Sequence, residues 1–287
     1  MKLLILVSLV FVIVVSGCVS SESINKRIAD SYRGIKSLSY DMDLVRTDEY
    51  DKPYTAYGIV EDDKIAEPKI LSDSSERWVF KVLIEKPDKK SIFTSGTNDD
   101  HINGGQLING TWYFSYRKAG SYGDTEEICN KDTFYMIPDR ARGADLSADS
   151  SDPNICPQWV TDSIWKVPSN IDNSSMFNVN ISQEKLNNRD VIKVSVESVD
   201  GGIFYISERE IPYQKIILWL DTNDFKLLKY QGTLKKSSEA SENSIGIKTI
   251  YTATLKNMVF NPKIPAEKFQ LDLNKYKNIV YIREKSG

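Results

Sequence analysis

Residues with catalytic or metal-binding chemistry are few in this chain. His101 is the single histidine, and the cysteines number three, Cys18, Cys129 and Cys156. One imidazole cannot supply a zinc site built on two or more histidines, and any Ser-His-Asp triad would have to use the same His101. His101 follows Asp99 and Asp100 between Ile92-Phe93 and Leu107-Ile108, and the stretch reads as a solvated turn. Asp145, Asp149 and Asp152 share one loop but lack the ligand order and glycine of an EF-hand. There is no glycine-rich phosphate loop and no CxxC pair. A carboxylate pair for glycoside hydrolysis is defined in space rather than in sequence, so that chemistry stays open. The expectation is a non-catalytic protein with no metal and no cofactor.

The cysteines carry the clearer chemistry. Lys2 precedes an apolar run from Leu3 to Val15, which closes on Val15-Ser16-Gly17-Cys18. A charged start and a short apolar region mark an export signal, and the run falls short of the about 20 residues that span a bilayer. Small residues before a cysteine at that place resemble the lipobox of bacteria and archaea. The resemblance implies removal of residues 1–17, lipidation of Cys18 and a short tether over 18–22, with one domain over 23–287. The alternative is an uncleaved signal anchor with an incidental cysteine. Several acyl chains on Cys18 would hold the chain stably at the outer face of the cytoplasmic membrane or cell envelope. An exported chain meets oxidising conditions, so Cys129 and Cys156 read as a disulfide worth roughly 3 kcal/mol in the chain-entropy account. The other reading leaves two unpaired buried thiols. Sequons at Asn109, Asn173 and Asn180 suit an exported surface.

Composition agrees with a packed domain outside the membrane. The chain has 287 residues, 40% of them hydrophobic and 27% charged, and a net charge of -3. That balance lacks the basic excess of a nucleic-acid binder.

The elements that must position any site follow from periodicity. Ser21, Glu22 and Ser23 offer helix N-cap and first-turn residues, and Ile24, Ile28, Tyr32 and Ile35 form one apolar helical face. Gly34 weakens the last turn. Leu38, Tyr40, Met42 and Leu44 alternate with polar residues, as do Trp78, Phe80, Val82 and Ile84, which predicts half-buried strands. Trp112, Phe114 and Tyr116 repeat the pattern after Asn109-Gly110. Asn187-Asn188-Arg189-Asp190 predicts a hairpin between 177–181 and 191–199, and strands continue at 216–220, 225–234 and 245–259. Residues 139–175 break this rhythm with Pro153, Pro157 and Pro168 and predict a loop insertion with short helical turns, stapled through Cys156. The predicted class is α+β, mainly β: a strongly curved antiparallel sheet with an N-terminal amphipathic helix.

The order of these elements resembles the LolA-like lipoprotein-sorting proteins, with LolB and the RseB sensor domain as relatives. Four segments carry the resemblance. Ile35-Lys36-Ser37-Leu38-Ser39-Tyr40 leads from helix to strand, and Gly110-Thr111-Trp112-Tyr113-Phe114 follows a turn. Ile217-Leu218-Trp219-Leu220-Asp221 and Phe225-Lys226-Leu227-Leu228-Lys229-Tyr230 form a hairpin with an acidic end. Asn261 to Phe269 matches a closing N-x-x-I-P-x-x-x-F pattern. The resemblance implies an incomplete barrel whose concave side receives acyl chains, with the disulfide-bearing insertion an addition packed on or near that side. Ile24, Ile28, Tyr32, Ile35, Trp78, Trp112 and Trp219 are then the candidates for cavity lining, though plain core packing explains the same spacing. Three functions are expected in descending order: a lipidated carrier for lipid, a lipoprotein's acyl chains or another apolar ligand; an envelope sensor or module for a protein partner; and an envelope hydrolase.

Overall fold

The computed structural model describes residues 21–58, 68–108, 111–117, 119–131, 133–137, 146–149, 156–157, 176–199, 204–205, 212–236, 246–272 and 279–283. Cys18, Asn109 and Asn173 lie outside them. The order is α1 (Ser21–Tyr32), β1 (Ser37–Tyr50), β2 (Tyr54–Gly58), β3 (Lys69–Leu71), β4 (Ser74–Glu85), β5 (Lys89–Asn98), β6 (His101–Ile108), β7 (Thr111–Arg117) and β8 (Gly120–Asn130). Then come β9 (Thr133–Ile137), β10 (Leu146–Asp149), β11 (Phe177–Leu186), β12 (Arg189–Ser198), β13 (Phe204–Tyr205), β14 (Pro212–Tyr213) and β15 (Lys215–Asp221). The chain closes with β16 (Leu227–Lys236), β17 (Ile247–Phe260), a 3-10 helix (Ala266–Phe269) and β18 (Ile279–Arg283).

The predicted amphipathic helix is α1. Ile24, Ile28 and Tyr32 are 1%, 4% and 3% exposed, so its apolar stripe is fully spent on packing. Each buried isoleucine contributes about 2 kcal/mol by area. The helix stops one turn before Ile35. Gly34 takes φ +82, a left-handed conformation that a glycine adopts without a Cβ penalty, and ends the helix rather than merely weakening it. Ile35 still packs on the same core from the following turn.

The main sheet has twelve strands in the order β11-β12-β15-β16-β17-β1-β4-β5-β8-β9-β10-β18. Every pairing is antiparallel except β10 with β18. Among the described residues the edge strands β11 and β18 do not meet, so the sheet curves around α1 as an incomplete barrel. The predicted fold class holds. One core joins α1 to the inner faces of β1, β4, β11, β12 and β15–β17. Register places Ile181, Val194, Leu218, Tyr230, Ala253, Leu44 and Trp78 in one row across seven strands of that face. The hairpin at Asn187-Asn188 uses positive φ at both residues (51° and 65°), as a two-residue turn requires.

Residues 139–175 are more than a loop with helical turns: Leu146–Asp149 adds strand β10 to the main sheet, with Ala148 1% exposed. Its parallel partner β18 lies far along the sequence, and local pattern carries no sign of such pairing. Cys129 on β8 and Cys156 form the expected disulfide, with Cα atoms 5.5 Å apart and both residues 0% exposed. The closing motif locks the start of β1. Asn261 Oδ1 accepts the Lys36 N–H at 2.7 Å, its own N–H donates to Ser37 O at 2.8 Å, and Ser37 Oγ donates to Pro262 O at 2.7 Å. A four-stranded sheet, β3-β2-β7-β6, has its own small core of Tyr54, Ala56, Leu71 and Tyr116.

Candidate ligand-binding face

Alternation fixes what each strand shows to the inner face. On β1 the inward residues run Leu38, Tyr40, Met42, Leu44, and then Arg46 and Asp48. On β4 they run Ile84, Val82, Phe80, Trp78, and then Glu76 and Ser74. On β17 Leu255 and Ala253 give way to Tyr251 and Thr249. Three adjacent strands therefore change from apolar to polar at the same register, because Arg46 stands opposite both Glu76 and Tyr251.

The polar end is a connected network. Arg46 Nη2 lies 2.8 Å from Asp48 Oδ2, its Nε donates to Asp48 Oδ1 at 3.2 Å, and its Nη1 donates to Glu76 Oε2 at 3.3 Å. Thr249 Oγ1 donates to Asp48 Oδ1 at 2.6 Å. The carboxylate side chains are 7% and 9% exposed, whereas that of Arg46 keeps 32% in solvent. Burial would lower the guanidinium pKa, but Asp48, Tyr251 and Glu76 around it raise it overall. The Tyr251 phenol is pushed up, chiefly by burial and against the pull of Arg46. Two carboxylates shared by one guanidinium form an ion-pair triad, unlike a hydrolase pair in which one carboxyl faces a water. Next to the triad Trp78 and Tyr251 are only partly buried, as are Met42 and Ile92 farther along the same inner face.

The seven lining candidates separate into groups. Ile24, Ile28, Tyr32, Ile35 and Trp78 belong to or pack on the inner core. Within it the helix contacts are filled by side chains. The Tyr32 phenol is pushed up to about 12, mainly by burial, and its Oη accepts the Leu227 N–H at 3.3 Å. Trp219 stands on the opposite face. Since Ile216, Leu218 and Leu220 point inward on β15, period-two geometry sends Trp219 outward. There its indole N–H donates to Glu184, and Lys193 and Lys229 lie 5.8 and 4.6 Å from its ring centroid. Trp112 falls on β7 in the smaller sheet, and its side chain lies outside the described residues. Arg46, Asp48 and Glu76 are not among the candidates that residue type and spacing single out. The signal was the continued alternation of β1 into two charged residues.

Other expectations find their places. His101 is not in a turn but begins β6, opposite Arg117; the turn before it is made by Asp99 and Asp100, which accept from Ser75 Oγ at 2.7 Å and pair with Lys69 respectively. Among the described residues no group of three or more His, Cys, Asp or Glu is placed to hold a metal, and no helix is long and apolar enough to cross a membrane. Asn180 is exposed on β11. Asp221 ends β15 and accepts the Asn223 and Asp224 N–H groups at 2.7 and 3.4 Å, with Arg189 paired to it. Burial pushes its carboxyl up, but those amides and that guanidinium win and lower it.

A second concavity lies on the outer face. A groove of about 660 Å³ runs over β1, β4, β5 and β8 under the segment from Glu267 to Asp272, lined by Leu83, Phe93 and Ile128 among charges of both signs.

No protein-family model matches the chain, and no curated protein sequence matches it. Among solved structures the chain is similar to a LolA superfamily protein from Nitrosomonas europaea. The alignment has 11% identity and a TM-score of 0.27, covering 89% of this chain and 99% of that one.

Proposed function

We propose that this chain is an exported lipoprotein, held by an acylated Cys18 at the outer face of the cytoplasmic membrane or cell envelope, that binds lipid, a lipoprotein's acyl chains or another apolar ligand without catalysis. One observation carries the binding part. The apolar inner row crosses seven strands, roughly 29 Å at about 4.8 Å per strand. The helix on it is 12 residues long, roughly 18 Å, and about 10 Å across. It covers part of that width, and Met42, Trp78, Ile92, Val179, Ile181 and Tyr251 remain partly exposed around it. An amphiphile chain laid on those residues would remove that surface from water. Sorting or transport of lipoproteins is the role this binding would serve. Organic extraction of the purified domain followed by mass spectrometry tests the reading. A reproducible acyl-bearing species is expected; an empty protein that also takes up no acyl probe contradicts it.

A second reading, an envelope sensor or docking module for a protein partner, is favoured by the filled contact under α1 and by the disulfide that pins Cys156 to β8. Crosslinking in intact cells would then recover one defined partner, lost when residues 139–175 are deleted.

A further inference from the structure

We infer that the end of the barrel carrying α1 lies against an anionic lipid surface, with Lys26, Arg27, Lys36, Lys86 and Lys263 toward the head groups. This deepens the anchoring half of the proposed function and rests on it.

The position of α1 fixes which end is meant. The Arg27 guanidinium lies 4.8 Å over the Phe225 ring, the Tyr32 Oη accepts the Leu227 N–H, and the Tyr32 ring is 6.4 Å from that of Phe260. Those partners mark the turn between β15 and β16 and the end of β17, the same end at which β1 begins and β4 stops. Cys18 precedes Ser21 by three residues, a reach of about 11 Å at most. Arg27 is about 9 Å further along the helix. An acylated Cys18 therefore holds the lipid surface within about 20 Å of Arg27, whatever path residues 18–20 take.

The charge at that end fits an anionic surface. The Lys86 N–H donates to Lys36 O at 2.8 Å, and the Lys36 N–H donates to Asn261 Oδ1 at 2.7 Å, two residues before Lys263. Three lysines thus crown three adjacent strand ends. Lys26 and Arg27 add two exposed cations from the helix, and Lys36 and Lys263 are exposed as well. None of these groups is paired with a carboxylate among the described residues. The neighbouring acids are already matched: Asp30 with Arg33, Glu85 with Lys89, Asp190 with Lys185, Asp221 with Arg189 and Asp224 with Lys226. Asp88 is without a cation among the described residues, and the side chain of Glu22 lies outside them. Counting both acids against the unpaired cations still leaves this end positive, in a chain whose net charge is -3. Attraction between a basic cluster and anionic lipid fades within a Debye length, about 8 Å at physiological salt. A free domain would gain little from it, but a tether this short keeps the two surfaces in range. Acyl chains and a basic patch then act as two signals for one orientation.

The test uses the full chain, purified from membranes in detergent and reconstituted on vesicles of phosphatidylcholine, with or without phosphatidylglycerol. Flotation with the neutral vesicles reports the anchor. An amine-acetylating reagent and peptide mapping report the orientation. On anionic vesicles, labelling of Lys26, Lys36, Lys86 and Lys263 is expected to fall about threefold or more relative to neutral vesicles, and to recover at about 1 M salt. Lys52 and Lys248 lie toward the other end of β1, roughly 45 Å away, and should label equally on both. Replacing the exposed pair, Lys36→Glu with Lys263→Glu, should abolish the protection of Lys26 and Lys86. Equal labelling on the two vesicle types, protection at Lys52 and Lys248 instead, or protection that survives the double replacement overturns the inference while the anchor stands. A chain that does not float overturns the anchoring reading, and the inference with it.

Discussion

Arg46 and Glu76 face each other across β1 and β4 with Nη1 3.3 Å from Oε2, two residues beyond the apolar pair Leu44 and Trp78 and on the same face. The inner face therefore ends in a charge triad whose acids are buried and whose base is partly open. Arg46→Met should cost roughly 2–3 kcal/mol, below the 3–5 kcal/mol typical of fully enclosed pairs because the guanidinium keeps solvent contact. Urea denaturation at pH 7 measures it. Adding Asp48→Asn to Arg46→Met should restore part of the loss, since Arg46 is the cation that Asp48 pairs with and the stranded carboxylate charge is then removed. A single variant as stable as the native chain would show that the triad is surface decoration.

Tyr32→Phe removes the acceptor of the buried Leu227 N–H and should cost about 1 kcal/mol. Its pH dependence has a definite sign. The folded phenol lies at about 12, above the ordinary value of 10.0, so folding holds the proton more tightly than the unfolded chain does. That contribution is complete below pH 10 and is lost as pH rises from there through 12. Denaturation curves between pH 8 and 11 should fall more steeply for the native chain than for Tyr32→Phe, and parallel curves would contradict the buried phenol.

Much of this was legible in residue order. The spacing of Ile24, Ile28 and Tyr32 specifies a helix, and the alternation in β1 and β4 specifies strands, because each pattern has one buried face. Trp219 was not assignable. β15 reads Ile216-Ile217-Leu218-Trp219-Leu220, apolar on both sides, so alternation gives two faces without saying which is inside. On β17 the break in register opposite Ser39 and Asp41, with Asn257 at φ 52, shifts the inward set from Leu255 to Met258 and Phe260. The Arg46 triad depends on the register between β1 and β4, a long-range quantity that no single strand contains.

Cys129 and Cys156 are both fully buried, so reductant alone should open their disulfide slowly in the native state. Once opened, the domain should lose about 3 kcal/mol. Thermal unfolding with and without prior reduction under mild denaturant measures this, and an unchanged midpoint would mean that the covalent link adds nothing to packing.

The anchoring proposal makes a separate prediction. Cys18→Ser should release the chain from membranes or block its maturation, read by fractionation and by the mass of the N-terminal peptide. Normal processing and retention in the membrane fraction would rule out lipidation of Cys18.

The central claim is that an amphiphile lies on the inner face beside Arg46. The most direct measurement is photocrosslinking of the purified domain with a neutral acyl ester that carries a diazirine in its chain, followed by peptide mapping. Labels are expected on the segments of β1, β4, β5 and β17 that hold Met42, Trp78, Ile92 and Tyr251, and to fall when unlabelled monoacylglycerol competes. Absence of labelling, or labelling confined to the outer groove around Leu83, Phe93 and Leu271, would contradict it.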